Sequence, residues 1–200
     1  MRFIILICSL FILGACAPNS VNIDKDLLTL SERVIPKSYK LQTPSNTPLG
    51  KSIKITPILF LTPDHLYQKE NALYHNNKEL KIISRKFDQD ILFFEGITTN
   101  ENPVEINDMP PKIGEVIYWL HDNETATGKV LALSAEFEIN NRVIKNLISF
   151  EGVAMPGDSG SPVFDVSGKL YGMIIGADRE EGITYAVRGD RVLELLPPKE

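Results

Sequence analysis

The chain is poor in cysteine, with two among 200 residues, and one of these, Cys8, stands inside an N-terminal apolar run, Phe3 to Leu13, behind a basic start at Arg2. That run is too short to span a bilayer as a helix and has the make-up of an export signal, which is removed from the mature chain. Only Cys16 then remains, and one cysteine excludes an intramolecular disulfide, so an exported fold must be held by its core alone. Basic charge is also scarce. With 21 Lys and Arg against 26 Asp and Glu the formal net charge is −5, and no basic run offsets it, which argues against nucleic acid as a partner. Histidine occurs three times, at His65, His75 and His121, with no His-Glu-x-x-His spacing. Together with the single mature cysteine this leaves no ligand set for metal-dependent hydrolysis, and no metal or cofactor is expected. The remaining composition, 43% hydrophobic and 24% charged, is ordinary for a globular domain of this length.

What the chain does contain is one unusual turn, Gly157-Asp158-Ser159-Gly160-Ser161-Pro162. Glycines on both sides of Asp158-Ser159 permit positive φ and a close approach of other backbone, so that amide N–H groups can converge on one spot. A nest of this kind suits a developing oxyanion and makes Ser159 the residue to explain, although Gly, Asp and Ser are equally the residues of an ordinary surface turn. Val163-Phe164, a turn at Asp165 to Gly168, and the run Leu170 to Gly176 then predict a hairpin of buried strands.

This arrangement resembles the trypsin-like serine peptidases, in which the Gly-Asp-Ser-Gly-[Gly/Ser]-Pro turn carries the nucleophile. Two further stretches are similar to the same family. Ile53 to Leu61 predicts a strand leading into Leu61-Thr62-Pro63-Asp64-His65, similar to the family's Leu-Thr-Ala-Ala-His, where the histidine is the general base; here Pro63-Asp64 replace two small residues. Asp90-Ile91-Leu92-Phe93-Phe94 resembles the segment whose aspartate orients that histidine, with Asp88 as the competing carboxylate. The resemblance therefore implies a triad of His65, Asp90 and Ser159, an oxyanion hole made by the N–H groups of Gly157 and Ser159, and a primary pocket with Val153 at its base and Ile175 on its wall. The order His, Asp, Ser also excludes the α/β-hydrolase arrangement, whose histidine follows the serine. His75 and His121 lie in polar contexts and are expected on the surface. Asp158 is expected to be structural. In zymogen-type relatives its partner is a freed N-terminal amine, whereas an acylated Cys16 would offer none, so either Asp158 finds another partner or the hole is assembled constitutively or by substrate.

The resemblance implies an all-β fold, a double six-stranded-type β-barrel (chymotrypsin-like), with a short C-terminal helix over Gly189 to Leu196 capped by Asp190. The first barrel is expected over residues 49–105 and the second over 110–200, joined by the Pro- and Asn-rich stretch from Asn100 to Lys112. Strands are expected at Leu80 to Ser84, Ile91 to Phe94, Ile113 to Trp119, Lys129 to Ser134, Glu136 to Ile139 and Arg142 to Phe150. Tyr185-Ala186-Val187 and the closing helix are similar to the end of the bacterial Deg/Htr-type protease domain.

At the other end, residues 1–15 form the expected signal peptide, and Leu13-Gly14-Ala15-Cys16 resembles the lipobox of bacterial lipoproteins, which implies lipid on Cys16. Several acyl chains on one residue suffice for stable attachment without spanning. By the same resemblance, Ala17 in place of Asp favours the outer membrane, facing the periplasm, in a Gram-negative cell. Residues 16–48 are polar and predict a tether, in which Leu27 to Ile35 could form a short helix or an edge strand. The expected protein is a lipid-anchored serine endopeptidase acting on polypeptides without a cofactor. The alternative is a catalytically silent relative that binds peptide in an envelope assembly, supported by Pro63-Asp64 alone.

Overall fold

The computed structural model of the protein describes residues 38–43, 45, 47–67, 73–75, 78–96, 100–121 and 124–198. The expected signal peptide, Cys16 and the Leu27 to Ile35 segment lie outside these residues. Among the described residues no helix is long and apolar enough to cross a membrane.

Two antiparallel β units are present. The first contains β1 (Ser38–Gln42), β2 (Pro48–Lys54), β3 (Leu59–Pro63), β4 (Tyr74–His75), β5 (Lys78–Glu79), β6 (Lys81–Lys86) and β7 (Ile91–Glu95), in the order β5-β4-β1-β2-β3-β7-β6. The second contains β8 (Val116–His121), β9 (Glu124–Ile139), β10 (Arg142–Glu151), β11 (Pro162–Phe164), β12 (Leu170–Asp178) and β13 (Ile183–Arg188), and it closes into a barrel in the order β10-β13-β12-β11-β8-β9. A short helix, α1 (Gly189–Glu194), follows.

The period-two geometry of the first sheet explains why its central strands are continuous apolar runs rather than alternating ones. Ile91 and Phe93 of β7 face a cluster that also takes Ile53 and Leu61 from β2 and β3, and Leu147, Met173, Ile175 and Val187 from the second unit. Leu92 and Phe94 face the opposite cluster, with Leu41, Phe60 and Leu73. One face of the sheet is thus the joint between the units, and an apolar joint of this kind fixes their relative position. The interior of the closed barrel is a third cluster, with Ile117, Trp119, Phe150 and Ile174.

Several boundaries differ from those the sequence predicts. Among the described residues the sheet already includes Ser38–Gln42, before Pro48: Leu41 of β1 is fully buried, so the end of the expected tether is a strand of the domain. The Ile53 to Leu61 run is two strands, because Pro57 cannot continue a ladder and Thr56 Oγ1 accepts the Leu59 amide at 3.0 Å to form a turn. Lys129 to Ser134 and Glu136 to Ile139 are parts of the single long β9. The two units are those of the expected double β-barrel with its short C-terminal helix; among the described residues the first is a seven-stranded sheet and the second a closed six-stranded barrel. Asp190 does not cap α1. The residue at the cap is Arg188, and the Asp190 carboxylate pairs with its guanidinium.

The Asn100 to Lys112 connection is held down rather than slack. The Val104 amide donates to the Lys54 carbonyl at 2.9 Å, the Leu170 amide donates to Glu105 at 2.8 Å, and Ile106 forms a parallel bridge with Leu170.

Candidate active site

The pairing of β3 with β7 sets Pro63 opposite Ile91, which brings the residues just beyond each strand end, Asp64-His65 and Asp90, side by side. Asp64 to Leu66 form a 3₁₀ turn entered through Pro63 at φ −61° and ψ 137°, angles a proline ring adopts without strain. Asp90 follows the 3₁₀ turn Phe87 to Gln89 with φ 53°, a left-handed conformation that aspartate tolerates better than most side chains. Its carboxylate is fully buried and grips the histidine twice: the His65 main-chain N–H donates to Oδ1 at 2.8 Å, and His65 Nδ1 lies 2.7 Å from Oδ2. A proton on Nδ1 leaves the Nε2 lone pair free as a base. Asp88, the competing carboxylate, sits exposed in the preceding turn and makes its side-chain bond to Gln89.

Asp64 is the second buried carboxylate here, and its partners explain why it replaces a small residue. Arg85 Nε and Nη2 donate to it at 2.6 and 3.0 Å, a bidentate pair. Arg142, arriving from β10 of the other unit, reaches both carboxylates, at 3.7 Å from Asp64 and 3.5 Å from Asp90. It also donates to the Phe87 carbonyl at 2.6 Å and lies 3.9 Å from the centre of the Phe87 ring. Pro63-Asp64 is therefore compatible with a firmly held His65.

The Ser159 turn packs directly on β2. The Lys51 amide donates to the Ser159 carbonyl at 2.7 Å, and a Cβ on Gly160 (φ +88°) would lie 1.8 Å from the Lys51 carbonyl oxygen, so no larger residue fits. A Cβ on Gly50 would lie 2.6 Å from both the Ser159 carbonyl oxygen and Leu66 Cδ1. The turn carrying His65 and the turn carrying Ser159 thus both pack against Gly50. Within the serine turn the amides of Asp158, Gly160 and Ser161 are committed, to Met155, Ile174 and Asp158 carbonyls respectively. Among the described residues the amides of Gly157 and Ser159 donate to no protein acceptor, and a Cβ at Gly157 (φ +97°) would meet nothing within 4 Å. An oxyanion hole needs uncommitted donors of this kind.

No protein-family model matches the chain, and no curated protein sequence matches it. Solved structures do. The active form of the Rv3671c protease from M. tuberculosis superposes with a TM-score of 0.69 at 15% identity, covering 100% of this chain and 97% of that one. The HtrA-type protease AlgW with tripeptide gives 0.68 at 16% identity over 84% of this chain and 62% of that one. A serine endoprotease from Yersinia pestis gives 0.67 at 18% identity over 84% and 64%. The chain has the fold of the HtrA/Deg-type, trypsin-like serine proteases.

Within that protease fold the surroundings of Asp158 hold residues that no local sequence pattern marks. Its Oδ1 accepts from Lys51 Nζ at 2.9 Å, and its Oδ2 accepts from the Met155 amide at 2.9 Å and lies 2.8 Å from His121 Nδ1. His121 is therefore half-buried at the serine turn, not a plain surface residue, because β8 ends beside that turn. Burial acts to raise the Asp158 carboxyl, but bonds from Lys51, the Met155 amide and His121 outweigh it and hold the group below the usual carboxylate range. The sign is that of an acid with depressed pKa: the stability it contributes is present above the ordinary carboxylate range and is lost as pH falls through its folded-state pKa.

The two residues expected to line the pocket differ in exposure. Val153 is 38% exposed in a segment pinned by Thr184, whose Oγ1 accepts the Ala154 amide at 2.9 Å and donates to the Gly152 carbonyl at 2.8 Å. Ile175 is 1% exposed and packs in the cluster between the units, so it offers no surface to a pocket. The strand alternation of β12 turns its side chain into the joint.

Proposed function

We propose that this protein is a serine endopeptidase that cleaves polypeptides through a covalent acyl-enzyme. The observation that carries the reading is the buried Asp90 gripping His65 at 2.7 and 2.8 Å beside a serine turn with two uncommitted amides. In this mechanism Ser159 Oγ attacks the scissile carbonyl carbon while His65 Nε2 takes its proton. The carbonyl oxygen becomes an oxyanion held by the N–H groups of Gly157 and Ser159. His65 then returns the proton to the leaving amine, the C–N bond breaks, and the acyl group remains on Ser159 Oγ. Water, deprotonated by His65, repeats the attack and releases the acid. Asp90 stays ionised and stabilises the imidazolium. The likeness to HtrA-type proteases and to AlgW with its tripeptide supports a polypeptide substrate.

The primary pocket takes small or medium apolar side chains, since Val153 brings no charge to its base and a lysine or arginine buried there would lack a counter-ion. Profiling against a peptide library is expected to give cleavage after Ala, Val or Leu. Dominant cleavage after Lys or Arg would remove Val153 from the pocket.

The same reading puts the enzyme at a membrane surface through lipid on Cys16, from the Leu13 to Cys16 sequence. Metabolic labelling with a fatty-acid analogue is expected to mark the protein, and Cys16→Ser to abolish both the label and membrane fractionation. Persistence of the variant in the membrane fraction would require another anchor.

A further inference from the structure

Lys51 is an unusual residue for the place it occupies. It lies in β2 of the first unit, is 7% exposed, and its ammonium is satisfied by three acceptors that all belong to the second unit: Asp158 Oδ1 at 2.9 Å, Ser161 Oγ at 3.0 Å and the Leu120 carbonyl at 3.2 Å. An ammonium has three N–H donors, so none is left over. All of this is bought at the desolvation cost of a buried ion pair, and a well-packed apolar residue would often serve stability as well. The two acceptor side chains flank Ser159 on either side in sequence, and the Lys51 main chain bonds Ser159 itself, its amide donating to the serine carbonyl at 2.7 Å. One residue of the first unit therefore holds the serine turn of the second by both main chain and side chain.

We propose that Lys51 is the positioning residue of the oxyanion hole, a built-in cation that sets the Met155–Ser159 turn as the two units fold together, so that the hole is assembled without proteolytic processing. Three donors already reach the buried Asp158 carboxylate, Lys51 at Oδ1 and the Met155 amide and His121 at Oδ2, so its cationic partner is in place without any cleavage. The bond from the Met155 amide, and the Asp158 amide donating back to Met155 at 2.9 Å, close a loop through Pro156 and Gly157. Fixing the carboxylate thus fixes the Gly157 peptide, whose N–H is one of the two proposed oxyanion donors. Lys51 touches no substrate and acts through Asp158.

The inference rests on the proposed peptidase activity, and its test separates the two. Wild type, Lys51→Met and Lys51→Met/Asp158→Asn are compared in the full chain by fluorophosphonate active-site titration and by kcat and KM on a peptide substrate. Methionine keeps the length and the main-chain bonds of Lys51 and removes only the ammonium. The expected result is a loss in kcat per folded molecule of about a hundredfold or more, as for loss of an oxyanion donor, with KM changed little. The double variant, which leaves no unpaired buried charge, is expected to recover at least about tenfold of that loss. Wild type is expected to label fully with its N-terminus uncut, and limited proteolysis to leave the labelled fraction unchanged. Unchanged kcat in Lys51→Met, or a double variant no better than the single one, would overturn the role of Lys51 while leaving the peptidase standing. Labelling that appears only after cleavage would do the same. A wild type that never labels, cut or uncut, would remove the peptidase and this inference with it. Should Lys51→Met fail to fold, the double variant is read against wild type, where an unchanged kcat would overturn the role of Lys51, and the labelling of uncut wild type is read as before.

Discussion

Asp90→Asn is expected to lower kcat by about 10⁴ with the fold retained, and the hydrogen bonds around Asp90 say why. Oδ1 must remain an acceptor, because the His65 main-chain N–H donates to it at 2.8 Å and Arg142 approaches it at 3.5 Å. An asparagine therefore places its oxygen at Oδ1 and its amide nitrogen at Oδ2, facing His65 Nδ1. That nitrogen donates, so Nδ1 must accept, and the imidazole proton moves to Nε2. In the proposed mechanism the base would then face Ser159 with a hydrogen instead of a lone pair. Asp88→Asn, on an exposed turn residue with no bond to His65, is expected to leave turnover near wild type. Steady-state kinetics on the two variants checks this directly, and a large effect of Asp88→Asn with none from Asp90→Asn would reassign the carboxylate.

Ser159→Ala is expected to have the largest effect of any single change, a loss of about 10⁶ in kcat, with substrate binding kept. The structural part that Ser159 plays is its carbonyl, which accepts the Lys51 amide at 2.7 Å, and alanine retains that carbonyl. His65→Ala is expected to match it, since a nucleophile without a base and a base without a nucleophile are equally idle. The double variant should be little worse than either single one, because in the proposed mechanism the two residues act as a unit. Additive losses, multiplying to far more than either alone, would mean that the residues contribute separately and that no proton passes between them. Thermal unfolding of each variant near that of wild type separates lost chemistry from lost structure.

The parts of this architecture that were legible in the chain are those with a local cause. Gly157 to Pro162 announces a serine turn because only glycine takes φ of +97° or +88° readily, and the backbone contact of Gly160 with Lys51 then needs the missing Cβ. Ile91 to Phe94 announces a strand buried on both faces because four successive apolar residues feed two clusters. The short strands β4 and β5 and the early start of the sheet at Ser38 are not legible, since two- to five-residue segments carry too little periodicity to stand out from a polar surround. Lys51, Arg142 and His121 escaped for a different reason. Lys51 meets Asp158 across 107 residues and Arg142 meets Asp90 across 52, so nothing near either cation marks it as paired. A lysine in Gly50-Lys51-Ser52 looks like any edge-strand lysine until the second unit is laid against it. Ile175 shows the converse limit: its place after the serine hairpin suggests a pocket wall, whereas the face it takes on β12 depends on packing against the first unit.

The measurement that tests the central claim most directly is intact-mass analysis of the folded full chain after treatment with a fluorophosphonate, followed by peptide mapping. A hydrolytic serine activated by His65 forms a stable phosphonyl ester at its Oγ, and an ordinary serine does not. One adduct per chain, mapped to Ser159 and absent from His65→Ala, is the expected result. No adduct on the folded chain, or an adduct on Ser161 or another serine that survives His65→Ala, would contradict the proposed triad.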